Sequence, residues 1–196
     1  IRSEAFQKYY NTLIGELPLD FNKRIYFQKN PTFRIGYPEE RTTSFHTDNI
    51  SSGHGDNIIN FWFPLSKINI YNTLWLVSAK ETKSLINSFK EQQFSIETLD
   101  LMAKEYAKPC NIQYGKFIKF SNKNLHGTTF NKSNEVRISF DFRILNGDKN
   151  AGIKFLDNAF TPFEDYEIKK PKDVISVAFT NHKVKHISHE VQRTVI

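Results

Sequence analysis

Two short segments hold residue types that bind metal: Ser44-Phe45-His46-Thr47-Asp48 and Asn124-Leu125-His126-Gly127. On a β-strand alternate side chains share a face, so His46 and Asp48 point the same way. Two imidazoles and one carboxylate form a facial set that suits Fe(II), with positions left open for substrate and oxygen. A catalytic zinc held by two histidines and a carboxylate is the chemical competitor. A third segment, Arg137-Ile138-Ser139, follows His126 with ten residues between His and Arg. Arg137 and Ser139 fall on one strand face, and a planar guanidinium beside a hydroxyl cradles a small carboxylate well.

Each of these residues also has an ordinary reading. An H-x-D pair arises often by chance at a strand end, and Arg137 alternating with apolar neighbours describes a half-exposed strand. The spacing of the whole set favours the metal reading. Arg143 is a second candidate for the carboxylate, six residues on and on the same face, but without the matching distance from His126. His54, in Gly53-His54-Gly55-Asp56, follows the H-x-D strand closely and is expected to contact substrate. Trp62 and Trp75 read as core or pocket wall. His182, His186 and His189 have helix-like spacing but sit in a basic segment, and are expected to be solvated. Cys110, after Pro109, reads as structural.

The elements that must position these residues follow from periodicity. Phe6, Tyr9, Tyr10, Leu13 and Leu17 recur at helical spacing, which predicts a helix over Ser3 to Leu17. From Lys23 the period shifts to two. Strands are expected around Ile25 to Phe27, Phe33 to Ile35, Ser44 to His46, Ile58 to Leu65 and Thr73 to Ser78. Two helices follow, Lys80 to Lys90 and Ser95 to Ala107, then strands over Lys116 to Phe120, Leu125 to Phe130 and Val136 to Leu145. Val174 to Phe179 reads as a strand or a short helix. Many short strands with a leading helix predict a mainly β fold, a sandwich or barrel with flanking helices. The expected division is a domain over residues 1–145 and a C-terminal extension over 146–196, which packs on the domain or contacts a second subunit.

Composition narrows the alternatives. The chain has 196 residues, enough for one domain with its own core. No apolar run is long enough to cross a bilayer, and the first residues lack a signal-peptide core. A single cysteine excludes an internal disulfide and a thiolate zinc cluster, and suits a reducing cytoplasm. The net charge of +6 is scattered rather than blocked, so neither nucleic acid nor a membrane surface is the expected partner. No glycine-rich phosphate cradle is present. The expected partner is a small molecule.

As a composite, His46-x-Asp48, 77 residues, His126, ten residues and Arg137-x-Ser139 resembles the signature of Fe(II)/2-oxoglutarate-dependent dioxygenases. The stretches Phe61-Trp62-Phe63-Pro64-Leu65, Asn72-Thr73-Leu74-Trp75 and Arg137-Ile138-Ser139-Phe140-Asp141-Phe142-Arg143 look like a narrower group. These are the oxygenases of streptomycin-type antibiotic and carbohydrate biosynthesis clusters, related to phytanoyl-CoA-hydroxylase-type enzymes. The resemblance implies a double-stranded β-helix (jelly roll, cupin-like) fold. It implies His46, Asp48 and His126 as ligands to Fe(II), and Arg137 with Ser139 on the distal carboxylate of 2-oxoglutarate. Asn60 is an expected donor to that cosubstrate. The implied reaction consumes O2, releases succinate and CO2, and hydroxylates a sugar, aminocyclitol or related intermediate. The rivals are a non-oxygenase metal-dependent isomerase or hydrolase, and a β-sandwich that binds carbohydrate or polyanion.

Overall fold

The computed structural model describes residues 4–19, 24–49, 57–146, 159–162, 177–180, 183–186 and 194–195. They form mostly antiparallel β-sheet with a few helices. A large sheet of seven strands comprises β1 (Ile25–Gln28), β2 (Thr32–Gly36), β3 (Ile58–Pro64), β6 (Ile118–Ser121), β8 (Arg137–Asn146), β9 (Phe160–Pro162) and β12 (Thr194–Val195). A small sheet holds β4 (Trp75–Leu76) between β5 (Lys108–Pro109) and β7 (His126–Gly127). A separate hairpin pairs β10 (Val177–Thr180) with β11 (Lys183–His186).

The long strand β8 organises the large sheet. One edge pairs with β3, and the other is shared by β2 and β1. Its alternation sorts side chains onto two faces. Phe140, Phe142 and Ile144 face helix α1 (Glu4–Glu16), whose Tyr10, Leu13 and Ile14 are buried against them. In register, Phe61 opposes Phe142 and Phe63 opposes Phe140, and the two pairs stack with ring centroids 5.5 and 5.0 Å apart. Such cross-strand aromatic pairs each add about 0.5–1.5 kcal/mol beyond burial. Tyr10 closes the layer edge-on against Phe142, and its hydroxyl donates to the Gln28 carbonyl at 2.6 Å.

The opposite face of the large sheet meets the small sheet. Trp62, Ile118 and Phe120 from the first pack with Leu74, Leu76 and Cys110 around the second. The outer side of the small sheet is covered by α2 (Ala79–Gln92) and α3 (Ile96–Tyr106), which bury Leu85, Leu99 and Ala103 against Phe45, Val77 and Leu125. Ser78 and Ser95 cap the two helices by accepting from the backbone N–H three residues on.

Several elements are shorter than the sequence predicts. The expected strand over Leu125 to Phe130 is ladder only at His126–Gly127. Beyond it, Thr128 and Asn131 bond instead to the irregular stretch at Thr43 and Glu40. Ser44 to His46 contributes an isolated bridge, His46 opposite His126, rather than a strand. Residues beyond 145 also enter the large sheet: β9 pairs with β1, and β12 runs parallel to β6. His186 lies in a strand, so the helix-like spacing of the three C-terminal histidines does not mark a helix there. His182 and His189 lie outside the described residues. Among the described residues no helix is long and apolar enough to cross a membrane.

Candidate metal centre

The bridge between His46 and His126 builds the centre. Each residue's N–H donates to the other's carbonyl at 3.0 Å, which sets the two backbones side by side. Alternation then divides their neighbours. Phe45 and Leu125 turn outward into the helix-covered cluster. His46 and His126 turn inward between the sheets, their rings 4.3 Å apart, with His126 edge-on to Phe120. Asp48 lies two residues along, and its N–H is held by the Asn122 carbonyl at 3.1 Å. One ligand atom from each of His46, Asp48 and His126 lies within 4.8 Å of the others.

Both imidazoles are oriented by the same device. Nδ1 of His46 meets the Ser44 carbonyl at 2.8 Å, and Nδ1 of His126 meets the Asn124 carbonyl at 2.9 Å. A carbonyl only accepts, so each Nδ1 carries the proton. Each Nε2 is the ring nitrogen left to face a metal. Burial, and then the neighbouring His46, lower His126 to about 4, so it is neutral at physiological pH.

Asp48 is 1% exposed. Burial alone would raise its carboxyl. The His46 ring, its Nε2 3.7 Å from Oδ1, and the bonds and charge of Arg143 outweigh that and hold it well below the usual carboxylate range. Arg143 grips both oxygens, Nε to Oδ2 at 3.0 Å and Nη2 to Oδ1 at 2.8 Å. Asn60 Nδ2 donates to Oδ2 at 2.7 Å. The Asn60↔Arg143 register of β3 and β8 brings both donors to one carboxylate.

These pKa directions give a pH dependence for the metal-free protein. The folded value of His126 lies below its ordinary 6.5, so the unfolded chain takes up a proton first. The stabilisation is complete above about 6.5 and is lost as pH falls toward about 4. Asp48, also depressed, adds a loss below the ordinary carboxylate range. Thermal midpoints at about pH 7.5 and about pH 5 are expected to differ, the acidic one lower, and His126→Gln flattens that difference.

The structure places Arg137 and Ser139 on the same inner face of β8, 3% and 0% exposed. Arg137 Nη2 donates to Thr42 Oγ1 at 2.8 Å, and Nη1 lies 3.5 Å from the Asn72 carbonyl. Arg137 Nε and Ser139 Oγ are buried without a hydrogen-bond partner among the described residues. Burial, then the charge of Arg34, pulls Arg137 down to about 10, still protonated at neutral pH. One cavity is lined by His46, His126 and Arg137, together with Asn60, Asp141 and Arg143.

The expected site residues thus separate. His46, Asp48 and His126 come together, and Arg137 joins them along one cavity. Asn60 Nδ2 bonds Asp48, while its Oδ1 is buried without a partner among the described residues. His54 lies outside the described residues. Arg143 holds Asp48, a role that sequence spacing does not assign to it. Its signal was alternation with Arg137. Arg34 and Thr42 carried no sequence signal, and Asn72 entered only as part of the Asn72-Thr73-Leu74-Trp75 stretch.

Gly127 permits the bridge. A Cβ there would lie 2.9 Å from the backbone N and Cα of Phe45, neither of which can rotate away. Gly127→Ala is expected to cost about 1–3 kcal/mol by overpacking. It should also lower metal affinity about 10- to 100-fold by parting the two imidazoles. Denaturant unfolding and metal titration measure the two losses.

No protein-family model matches the chain. The streptomycin biosynthesis protein StrG of Streptomyces griseus is 28% identical over 138 residues. That match covers 69% of this chain and 54% of the relative, so the chain spans about half the relative's length. Among solved structures, it is similar to SnoK, described as a non-heme alpha-ketoglutarate-dependent carbocyclase from nogalamycin biosynthesis. That likeness has TM-score 0.49 and 11% identity, and covers 72% of this chain and 64% of SnoK. AviO1 from Streptomyces viridochromogenes Tue57 gives TM-score 0.42 and 12% identity, over 76% and 60% of the two chains. EvdMO1 gives 0.41 and 16%, over 61% and 27%.

Proposed function

We propose that this chain is an Fe(II)- and 2-oxoglutarate-dependent oxygenase of the double-stranded β-helix fold, hydroxylating a small biosynthetic metabolite. A sugar, an aminocyclitol or a related intermediate is the substrate class, and succinate and CO2 are the co-products. The observation that carries this reading is Arg137, which lines one cavity with His46 and His126 of the His-Asp-His group and whose buried Nε, like the buried Ser139 Oγ on the same strand face, has no partner among the described residues. A buried donor without a partner costs about 1–3 kcal/mol. A site that tolerates two on one strand face is built for a ligand that satisfies them. A carboxylate does so.

The donor set fits the metal. Two imidazole Nε2 atoms and one ionised carboxylate on one side suit Fe(II), with the other side open. When bound, the iron would supply oxygen activation coupled to decarboxylation of the 2-oxo acid. The protein's residues do the rest. Ser44 and Asn124 carbonyls fix the imidazole tautomers. Arg143 and Asn60 keep Asp48 ionised and aimed. Arg137 and Ser139 would take the distal carboxylate. Trp62, Leu74 and Phe120 make the wall that keeps the cavity dry. The 28% likeness to a streptomycin biosynthesis protein supports the substrate class.

Turnover of 2-oxoglutarate to succinate, measured with Fe(II) and candidate sugars, tests the reading. His46→Ala is expected to abolish it. Undiminished turnover in His46→Ala contradicts the assignment. Metal-dependent activity that needs no 2-oxoglutarate and ignores Arg137→Ala would move the reading to a non-oxygenase isomerase or hydrolase.

A further inference from the structure

Arg34 lines the same cavity from β2, opposite Ser139 in register, yet nothing so far gives it a role. Its Nε donates to Asp141 Oδ2 at 2.6 Å, and its Nη1 donates to Thr43 Oγ1 at 2.9 Å. Its charge is close enough to Arg137 to depress that residue's ionisation, while Asp141 opposes the effect. Around Arg137 the cavity lining therefore gathers a second guanidinium, Arg34, and one carboxylate, Asp141. One further negative charge closes the set.

The cavity is also tight. Its free space is about 20 Å3, room for about one water molecule. A five-carbon 2-oxo dicarboxylate is about ten heavy atoms, far more than that space holds, so a side chain must yield. Trp62, Leu74 and Phe120 belong to the packed core between the sheets. Arg143 is held on Asp48, and Arg137 on Thr42. Arg34 differs. Among the described residues its strand pairs only with β8, and its side chain is 26% exposed.

We propose that Arg34 is a specificity-determining residue of this cavity. It pivots from the ion pair on Asp141 to join Arg137 on the distal carboxylate of the 2-oxo acid, so the site takes dicarboxylates over monocarboxylates. This rests on the 2-oxoglutarate reading above. A ligand without a distal carboxylate leaves two like charges facing each other. Asp141 holds Arg34 at the cavity between ligands, and its own charge keeps the site from favouring a more highly charged anion.

Calorimetric titration of the zinc-loaded, redox-inert protein tests this, with 2-oxoglutarate and 2-oxobutanoate as probes. Arg34→Gln is expected to lower the preference for 2-oxoglutarate over 2-oxobutanoate about tenfold, with zinc affinity within about twofold of wild type. Arg34→Gln combined with Asp141→Asn removes both charges together, and should show the same loss if the single variant folds poorly. An unchanged preference, or an equal fall for both acids, overturns the proposal. The 2-oxoglutarate reading survives that result if Arg137→Met still abolishes binding. Absence of 2-oxoglutarate binding to the wild-type protein overturns both.

Discussion

Asp48→Ala is expected to strip the protein of its metal and to destabilise the metal-free fold by about 3–5 kcal/mol. The second effect comes from Arg143. Its guanidinium is mostly buried and gives two of its donors to Asp48, at 2.8 and 3.0 Å. Without the carboxylate it is a buried charge facing Gln28, whose Oε1 it reaches at 3.3 Å. Removing one partner of a buried pair costs far more than replacing both by apolar groups. Asp48→Ala with Arg143→Met should therefore recover most of the lost stability and none of the metal binding. Chemical denaturation with metal titration separates the two outcomes. Equal stability of the single and double variants would show that the pair is not coupled.

Arg137→Met is expected to behave in the opposite way. It should abolish 2-oxoglutarate binding, by about 100-fold or more, yet leave the metal-free protein as stable as wild type or more so. Arg137 is 3% exposed, its Nε has no partner among the described residues, and its ionisation is depressed by burial. An apolar side chain of similar length removes that desolvation cost. Functional sites hold groups that the fold alone would not retain, and substitution there commonly trades activity for stability. Thermal unfolding with and without the 2-oxo acid reads both halves. A marked fall in stability would mean that Arg137 is a structural ion-pair partner instead.

Much of this arrangement is legible in the residues themselves. The alternation of Arg137, Ser139, Asp141 and Arg143 with Phe140, Phe142 and Ile144 marks β8 as a strand with two different faces. The structure buries the aromatic face and, on the other, Arg137 and Ser139. Helix α1 follows from Phe6, Tyr10 and Leu13, and the H-x-D pair with His126 does converge in space. What sequence spacing leaves open is which arginine meets which anion. Arg137 and Arg143 share a face, and only the register of β3 against β8 shows that Arg143 reaches Asp48, 95 residues away in sequence. Asn60 illustrates the same limit. Its strand is readable, while its bond to Asp48 depends on the neighbouring strand. The short ladders at β4, β5 and β7 are hidden for a different reason. Thr128 and Asn131 engage the Glu40–Thr43 stretch through irregular bonds, so residues with strand-like composition do not extend the ladder.

The most direct measurement is an anaerobic titration of the metal-free protein with Fe(II) and then 2-oxoglutarate, followed by visible absorption. The account predicts a weak charge-transfer band at about 500 nm that is present in wild type and absent in both His46→Ala and Arg137→Met. A protein that binds Fe(II) but develops no band on adding 2-oxoglutarate, or a band that persists in Arg137→Met, would contradict it.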